Sequence, residues 1–323
     1  MHKEEKKTSF LDAINQAQIE EMQRDDRVFL IGEDISIYGG TSIVKSIEEK
    51  RVMNMPISEL GFTGMGVGAA MAGMRPIVDL TISSFVYLAS DPIINQAAKQ
   101  RYMTGGLMQV PIVFRACMYY NVGNSAQHSD RPYPTFMNSP GLKIVVPSTP
   151  ADAKGLMKAA IRDDDPVLFF EDINLWSQKA IVSDDKDFVI PIGVAEVKRQ
   201  GTDVTIISIG ACLSKALAAS EQLSSEGISV EVLDPRTLVP LDKKAILESV
   251  RKTGRLVIVE NAHRTNGVAA EIAAVISEEG FESLLKPIQR VATPDVNIPA
   301  SPALEKSLYP SVEAVVAAVR KII

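Results

Sequence analysis

The sequence predicts an α/β protein with two domains. Short, predominantly apolar runs of the kind found in buried parallel strands occur at residues 28–34, 76–82, 110–114, 142–146 and 166–170. Helical patterns separate several of these runs, and such alternation is typical of α/β folds. The chain has 323 residues, which is long for one hydrophobic core, so a second domain is expected.

Two helices of the first half can be located from the residues at their ends. Thr8 or Ser9 can cap the first helix, which we expect to end near residue 24. Thr149 is the expected N-cap of the second helix, with Pro150 at its first position. Asp152 completes a capping box with Thr149, so this helix should begin sharply.

The second domain begins where the periodic pattern is lost, between about residues 176 and 201. We place the boundary so that residues 1–190 form the first domain and residues 191–323 the second. The pattern restarts with three apolar runs, DVTIISIG, SVEVLD and RLVIVE, each followed by a helical pattern. A last helix is expected from Ser311 to Ile323. These patterns predict a smaller α/β domain with four or five strands.

Composition and charge exclude several classes of protein. The formal net charge is −6, and the lysines near the N-terminus alternate with glutamates, so no nucleic-acid partner is expected. The first residues, MHKEEKKTSF, are charged where a signal peptide is apolar, and no apolar stretch is long enough to span a membrane. We therefore expect a cytoplasmic protein. Cys117 and Cys212 lie outside any C-x-x-C pair and are expected to be buried apolar residues.

The stretch PISELGFTGMGVGAAMAG, residues 56–73, places Glu59 directly before a run of small residues. Gly64, Gly68 and Ala72 fall at i, i+4 spacing, so one face of the predicted helix is nearly bare. Each glycine in a helix costs roughly 1 kcal/mol relative to alanine, which close packing must offset. Two interpretations stay open, a tight helix contact with Glu59 as its cap, or the edge of a cofactor site.

Histidines are the best candidates for proton transfer, and the chain has three of them. His2 is terminal, whereas His128 in SAQHSDRP and His263 in ENAHRTNG lie in predicted loops, where catalytic residues are common. A structural or surface histidine is the alternative for both. No complete phosphate-binding, nucleophile-elbow or metalloprotease motif is present. The common hydrolase mechanisms therefore have no support.

Eight collinear segments of the chain match one known family. They are VFLIGEDISIYGG, PISELGFTGMGVGAAMAGMRPIVDL, INQAAKQRYMTGG, AQHS, PGLKIVVPSTPADAKGLMKAAIRDDDPVLFFE, VEVLDPRTLVPLD, KTGRLVIVENAHRTNGVAAEIAA and PALEKSLYPSVEAVVAAVRKII. With these segments the chain resembles the beta subunit of the thiamine-diphosphate-dependent decarboxylating component of 2-oxo acid dehydrogenases, which include pyruvate, branched-chain and acetoin dehydrogenases. The resemblance implies a pyrimidine-binding, transketolase-like domain followed by a transketolase C-terminal-type domain.

The resemblance implies roles for four residues. The family glutamate matching Glu59 hydrogen-bonds the pyrimidine N1′ of the cofactor, where a protonated carboxyl favours the imino tautomer that removes the C2 proton. Phe85 matches an aromatic residue beside the pyrimidine, and Ile57 matches a cofactor-binding position. His128 matches a histidine implicated in proton transfer and in passing the acyl group to lipoamide. On this resemblance, the small-residue helix lets subunits pack closely around the cofactor.

The resemblance also implies a structural monovalent cation such as K⁺. Backbone carbonyls hold it in the family, and the matching positions are Ile112, Ala160, Asp163 and Asp165. Because carbonyls are the ligands, side-chain identity tests this expectation poorly.

An alpha subunit is the main partner that the resemblance implies. In the family a G-D-G motif on the alpha subunit anchors the diphosphate through Mg²⁺, and this chain contains no G-D-G. Thiamine diphosphate should therefore be shared between two kinds of chain in an α₂β₂ assembly. A lipoyl-bearing acyltransferase is the further expected partner, and a small 2-oxo acid, with pyruvate as the default, is the expected substrate.

The chain departs from the family around the predicted substrate pocket. The departures are Tyr119, Tyr120, Asp130, Arg131, Asn138 and, further on, Ala300. They leave the substrate open, and an acetoin-type or transketolase-like carboligase is the enzymatic alternative. A non-catalytic assembly or docking subunit is the alternative from another class.

Overall fold

The computed structural model describes residues 7–37 and 39–323, so His2 and the charged residues 3–6 lie outside the described residues. The chain forms two compact units. The first contains the described residues up to Tyr119 together with Thr135–Ile192, and the second contains Tyr120–Pro134 and Gly193–Ile323. The predicted α/β fold with two domains is confirmed. The segment Tyr120–Pro134 belongs to the second unit, which no local pattern in the sequence indicates, and the boundary at residue 190 stays a prediction.

A parallel sheet forms the core of the first unit. The strands in this part of the chain are β1 Lys7–Ser9, β2 Val28–Gly32, β3 Val52–Asn54, β4 Arg75–Ile82, β5 Val113–Met118, β6 Lys143–Val145, β7 Val167–Asp172 and β8 Lys179–Ile181. Six of them run parallel in the order β6-β7-β5-β4-β2-β3, while β1 and β8 pair antiparallel. Strands β2, β5 and β7 are buried throughout, as their apolar sequences predict. The strand predicted at residues 110–114 begins later, at Val113.

Helices alternate with these strands along the chain, and two of the helices begin where the sequence predicted caps. The helices are α1 Phe10–Arg24, α2 Thr41–Ser46, α3 Glu59–Met71, α4 Ala98–Met103, α5 Tyr133–Met137, whose first two residues belong to the second unit, and α6 Pro150–Arg162, with a π-helix at Asp91–Ala97 and 3₁₀ helices at Glu49–Arg51, Ser83–Tyr87 and Ile173–Leu175. Ser9 caps α1 by accepting the Asp12 N–H at 3.1 Å, and Thr149 caps α6 by accepting the Asp152 N–H at 3.2 Å. Both caps confirm the prediction.

The contact between α1 and α6 contains buried charge. Lys154 and Lys158 are 1% and 0% exposed, and their ammonium groups donate to the two carboxylate oxygens of Glu20 at 2.8 and 2.7 Å. Burial acts to raise the pKa of Glu20, but the hydrogen bonds and charges of the two lysines outweigh it and lower the pKa. The pairing satisfies both lysines inside the unit.

The second unit has a five-stranded sheet. Its strands are β9 Glu196–Arg199, β10 Val204–Ser208, β11 Val230–Asp234, β13 Leu256–His263 and β14 Gln289–Thr293, and β12 Thr237–Val239 lies outside this sheet. The order is β14-β13-β10-β11-β9, parallel except for β9. The helices are α7 Cys212–Ser224, α8 Lys243–Thr253, α9 Val268–Glu279, α10 Pro302–Lys306 and α11 Val312–Arg320, with 3₁₀ helices at Ala126–His128 and Phe281–Ser283.

Two further expectations concern the cysteines and the membrane. Cys117 and Cys212 are both buried, as predicted. Burial raises the pKa of the Cys117 thiol well above its usual value. Across the described ranges, no helix combines the length and the apolar character needed to cross a bilayer.

Candidate active site

Three of the predicted cofactor residues follow the carboxyl ends of strands in the first unit. Glu59 opens α3 shortly after β3, Ile57 lies in the link between them, and Phe85 lies in the 3₁₀ helix after β4. Glu33 directly follows β2. In open parallel sheets, ligands bind at the edge where the carboxyl ends of the strands meet. The structure therefore brings Ile57, Glu59 and Phe85 to the edge where a ligand is expected.

Glu59 is a buried carboxyl at the start of a helix. It occupies the first position of α3 with 6% of its surface exposed, while Ser58 holds the capping position. An acidic side chain in the first turn interacts favourably with the helix dipole. The buried face of α3 consists of Glu59, Phe62, Thr63, Gly66, Val67 and Ala70. Glu59 thus belongs to the face that packs inside the unit.

Gly66 is the glycine that close packing of α3 requires. A Cβ atom on Gly66 would lie 2.7 Å from Val78 Cγ2 and 3.4 Å from Ile112 Cδ1. Nothing lies within 4 Å of a Cβ built on Gly64 or Gly68. The absence of a side chain at Gly66 therefore allows α3 to lie against β4. The face with Gly64 and Gly68 is open among the described residues, and its use for subunit packing stays a prediction.

An irregular end of β4 leads the chain towards Phe85. The register of β4 against β5 shifts between Asp79 and Ile82, and Thr81 has φ of 57°, which is uncommon for a β-branched residue. Two hydrogen bonds hold this conformation. The Thr81 N–H donates to Asp79 Oδ1 at 2.9 Å, and its hydroxyl donates to the Glu33 carbonyl at 3.3 Å. Such strained backbone is concentrated at functional sites.

Glu33 adds a second acidic group close to Glu59. Its residue surface is 5% exposed, and burial raises its pKa to about 7, with the negative charges of Glu59, Asp34 and Asp79 adding to the effect. A carboxyl group with such a pKa holds its proton over part of the neutral range. This edge of the sheet can therefore store a proton near neutral pH.

A buried arginine lies beneath this edge. Arg115 on β5 is 1% exposed and donates to Asp79 Oδ2 at 3.0 Å and to Glu171 Oε1 at 2.8 Å. Burial acts to lower the pKa of Arg115, but Glu171 and Asp79 outweigh it and raise the pKa. Burial raises the pKa of Glu171, against the opposing effect of Arg115. Since Asp79 also holds Thr81, this network connects the sheet to the turn before Phe85.

Phe85 belongs to an aromatic and apolar surface at the strand ends. It packs against a cluster made of Ile82, Cys117 and Tyr119, together with Ile173 and Trp176. The rings of Tyr119 and Trp176 meet edge to face with centroids 6.3 Å apart. Ile57 is 78% exposed. An aromatic face and a buried carboxyl at one edge of the sheet suit a flat heteroaromatic ring that carries a hydrogen-bonding nitrogen.

His128 belongs to the second unit. It ends the 3₁₀ helix Ala126–His128 and is partly buried, within the segment Tyr120–Pro134. The structure therefore places His128 in a different unit from Ile57, Glu59 and Phe85. His263 ends β13, and its Nδ1–H donates to the Pro294 carbonyl at 2.9 Å. This hydrogen bond fits the structural interpretation of His263.

The predicted monovalent cation positions lie near the ends of β5 and α6. The Ile112 carbonyl accepts a backbone N–H from β7 at 2.9 Å, and the Ala160 carbonyl accepts the Asp163 N–H at 3.3 Å. The Asp163 carbonyl accepts from Arg75 Nη2 at 2.5 Å, and the Asp165 N–H donates to Asp163 Oδ1 at 2.9 Å. A carbonyl oxygen has a second lone pair. These bonds therefore leave the cation site a prediction.

The two halves of the chain match two known domain families. The family described as "Transketolase, pyrimidine binding domain" matches residues 6–176, and "Transketolase, C-terminal domain" matches residues 193–315. A solved structure described as "Split gene transketolase, inactive beta4 tetramer" matches with TM-score 0.82 and 26% identity, covering 97% of both chains. Fold and matches define a transketolase-type α/β protein with these two domains in this order.

Relatives of similar length define the family more closely. The 2-oxoisovalerate dehydrogenase subunit beta of Bacillus subtilis (strain 168) is 45% identical over 321 residues, covering 97% of this chain and 98% of that protein. The acetoin:2,6-dichlorophenolindophenol oxidoreductase subunit beta of the same organism is 43% identical over 325 residues, covering 95% of each. The mitochondrial pyruvate dehydrogenase E1 component subunit beta-1 of Arabidopsis thaliana is 44% identical over 324 residues, covering 98% and 89%. The chain belongs to the family of beta subunits of the thiamine-diphosphate-dependent decarboxylating component of 2-oxo acid dehydrogenases, which confirms the predicted resemblance.

Sequence reasoning missed several residues of this edge. The acidic end of the run VFLIGED hinted at Glu33, because it places a carboxyl directly after a buried strand. Thr81 and Arg115 gave weaker signals, since each lies inside a predominantly apolar run. A charged residue within a buried strand requires a partner, and that rule could have identified Arg115.

Proposed function

We propose that the chain is a catalytic beta subunit that, with an alpha partner, decarboxylates a 2-oxo acid and transfers the acyl group to lipoamide. The observation that carries this proposal is the position of Glu59, a buried carboxyl at the carboxyl edge of the parallel sheet. Members of the family to which this chain belongs use thiamine diphosphate. When bound, thiamine diphosphate supplies the nucleophilic carbon and the electron sink for decarboxylation.

The residues of this edge fit the pyrimidine end of thiamine diphosphate. Glu59 offers a carboxyl to a ring nitrogen, and its burial strengthens that hydrogen bond by excluding water. Phe85 and the exposed side chain of Ile57 offer apolar contact to the ring faces. Glu33, with its pKa raised to about 7, can hold a proton close to Glu59.

The same residues do not suit a diphosphate. Ile57, Glu59, Phe85 and Glu33 include no cation, and the chain has no G-D-G motif. We therefore assign the diphosphate and its Mg²⁺ to an alpha subunit in an α₂β₂ assembly. On this proposal the open face of α3 with Gly64 and Gly68 is available for contact between subunits.

His128 is the proposed group for proton transfer at the substrate and for acyl transfer to lipoamide. His128 is partly exposed at the end of its 3₁₀ helix, and histidine is the side chain most often used as a general acid or base. A lipoyl-bearing acyltransferase is the proposed acceptor partner. The monovalent cation at Ile112, Ala160, Asp163 and Asp165 is a further proposal, which K⁺-dependent thermal stability would test.

An assay of cofactor binding and substrate turnover tests this function. The chain, assembled with a candidate alpha chain, is assayed for thiamine diphosphate binding and for turnover of pyruvate, 2-oxoisovalerate and acetoin with a dye acceptor. We expect turnover of a 2-oxo acid, with pyruvate as the default, and no cofactor binding by this chain alone. Turnover of acetoin only would favour the carboligase-type alternative. An assembled complex that binds the cofactor and turns over no 2-oxo acid would refute the proposal.

A further inference from the structure

A buried carboxylate in the C-terminal part of the second unit binds the loop that carries His128. Glu305 lies in α10 and is 0% exposed. Its carboxylate accepts the backbone N–H of Asn121, and its Oε2 accepts the N–H of Gly123 at 2.9 Å. The Tyr309 hydroxyl donates to Oε1 at 3.2 Å. A buried carboxylate with several donors is a strong and directional anchor.

The C-terminal end of the same loop also lies close to Tyr309, through Arg131. Arg131 is 9% exposed and donates from Nη1 to the Ser129 carbonyl, next to His128. Its guanidinium lies 4.2 Å from the centre of the Tyr120 ring and 5.2 Å from that of Tyr309. Cation–π contacts of this kind are strengthened when they are shielded from water.

The rings of Tyr120 and Tyr309 are also in direct contact. Their centroids are 4.7 Å apart at an interplanar angle of 63°. Tyr120 precedes the residues bound by Glu305, and Arg131 follows His128. Both ends of the loop are therefore held at Tyr309.

The backbone of this loop requires such support. Asn121 has φ of 60°, and Ser125 has φ of 63° and ψ of −178°, a region populated almost only by glycine. Ser125 lies close before His128, whose N–H donates to the Ser125 carbonyl at 3.4 Å. A Cβ on Gly123 would lie 3.3 Å from the Ala300 carbonyl oxygen, so the loop rests directly on residues 300–302. Strained backbone persists only where its surroundings hold it.

We propose that Glu305 is a positioning residue for His128. Glu305, Tyr120, Arg131 and Tyr309 together form a cluster that we call the loop clasp. The loop clasp holds residues 121–131 in the conformation that places His128 for reaction. This inference rests on the proposed function, because it takes His128 to act on the substrate. Two clasp residues, Tyr120 and Arg131, are among the predicted departures from the family, so the clasp is also a place where substrate preference can be set.

Hydrogen exchange of the purified chain tests the clasp without any assay of activity. In Glu305→Gln the side-chain shape is kept, but one oxygen is replaced by an NH₂ group that cannot accept an N–H. We expect exchange in residues 121–131 to become about 10- to 100-fold faster, the range implied by loss of a charge-assisted hydrogen bond. Exchange in β10 and β13 should be unchanged. Tyr309→Phe keeps the ring and removes one donor, so we expect a smaller acceleration, about two- to tenfold.

The matched control is Glu313→Gln. Glu313 is an exposed acid in the first turn of α11, and its replacement should leave exchange in the loop unchanged. Unchanged exchange of residues 121–131 in both Glu305→Gln and Tyr309→Phe would overturn the proposal. Equal acceleration throughout the second unit would overturn it as well, because that result describes general destabilisation.

The kcat of the assembled complex is a second measurement, and it would not change if Glu305 only stabilised the fold. For Glu305→Gln we expect kcat to fall at least about tenfold with the affinity for thiamine diphosphate unchanged, since the proposed cofactor residues Ile57, Glu59 and Phe85 belong to the first unit. A wild-type kcat in a variant with a mobile loop would overturn the positioning role. If the wild-type complex turns over no 2-oxo acid while the exchange result holds, the proposed function fails and the clasp as a loop anchor stands.

Discussion

Replacing Arg115 by methionine should destabilise the first unit strongly and in a pH-dependent manner. Arg115 is 1% exposed, and its guanidinium binds Asp79 at 3.0 Å and Glu171 at 2.8 Å. The variant leaves both carboxylates buried without their cation. Breaking a buried ion pair by removing one partner costs about 3–5 kcal/mol. Because two carboxylates lose their cation, we expect the free energy of unfolding to fall by about 5 kcal/mol at pH 8.

The sign of the pH dependence follows from the carboxylates. Burial already raises the pKa of Glu171, and Arg115 opposes this. Without Arg115 the pKa of Glu171 in the folded state rises further, so the folded variant takes up a proton as the pH falls. The destabilisation should therefore shrink by about 1 kcal/mol or more between pH 8 and pH 5.5, since one pKa unit corresponds to about 1.4 kcal/mol.

Urea unfolding followed by tryptophan fluorescence measures this effect directly. The chain has one tryptophan, Trp176, which lies in the first unit. Arg27→Met is the control, because Arg27 is an exposed partner of Asp25 and its loss should cost little. Arg115→Met/Glu171→Gln should recover part of the lost stability. The reasoning is refuted if Arg115→Met unfolds at the same urea concentration as Arg27→Met, or if its destabilisation is independent of pH.

Two further predictions concern the helix and the acid beside Glu59. Gly66→Ala should lower the stability of the purified chain by about 1–2 kcal/mol, because its Cβ would lie 2.7 Å from Cγ2 of buried Val78. Gly68→Ala should raise stability by up to about 1 kcal/mol, because alanine has the higher helix propensity. Thermal unfolding of the two variants checks this, and equal melting temperatures would contradict it. For Glu33, the pKa is about 7 in the folded state and 4.5 ordinarily, so the folded state binds the extra proton. The stability of the wild type relative to Glu33→Gln should therefore fall as pH rises from 4.5 to 7 and level off above, and a difference that grows over this range in denaturant titrations would contradict it.

Local features of this fold were predictable from the sequence. The caps Ser9 and Thr149 depend on residues three positions away, and the buried strands appear as short apolar runs. Glu59 was recognisable because it stands directly before the small-residue helix, in a segment that also matches the family. In each case the signal lies within one short stretch of chain.

Long-range features were not predictable in the same way. Arg115 meets partners 36 and 56 residues away, and the contact of Glu305 with Asn121 spans 184 residues. Spacing alone did not show that Gly66, rather than Gly68, faces the sheet, because that depends on the rotation of α3 about its axis. Tyr120–Pro134 belongs to the second unit, where Glu305 binds Asn121 and Gly123, and no local pattern indicates these contacts.

The most direct test of the central claim is the turnover rate of Glu59→Gln in the complex assembled with its alpha partner. Glu221→Gln, an exposed substitution on α7, serves as the control, and melting temperatures establish that both variants are folded. If Glu59 is the carboxyl that serves the cofactor, kcat for 2-oxo acid decarboxylation should fall by about 100-fold or more, while Glu221→Gln remains at the wild-type rate. A Glu59→Gln complex with nearly unchanged turnover would contradict the claim and would identify the chain as an assembly subunit.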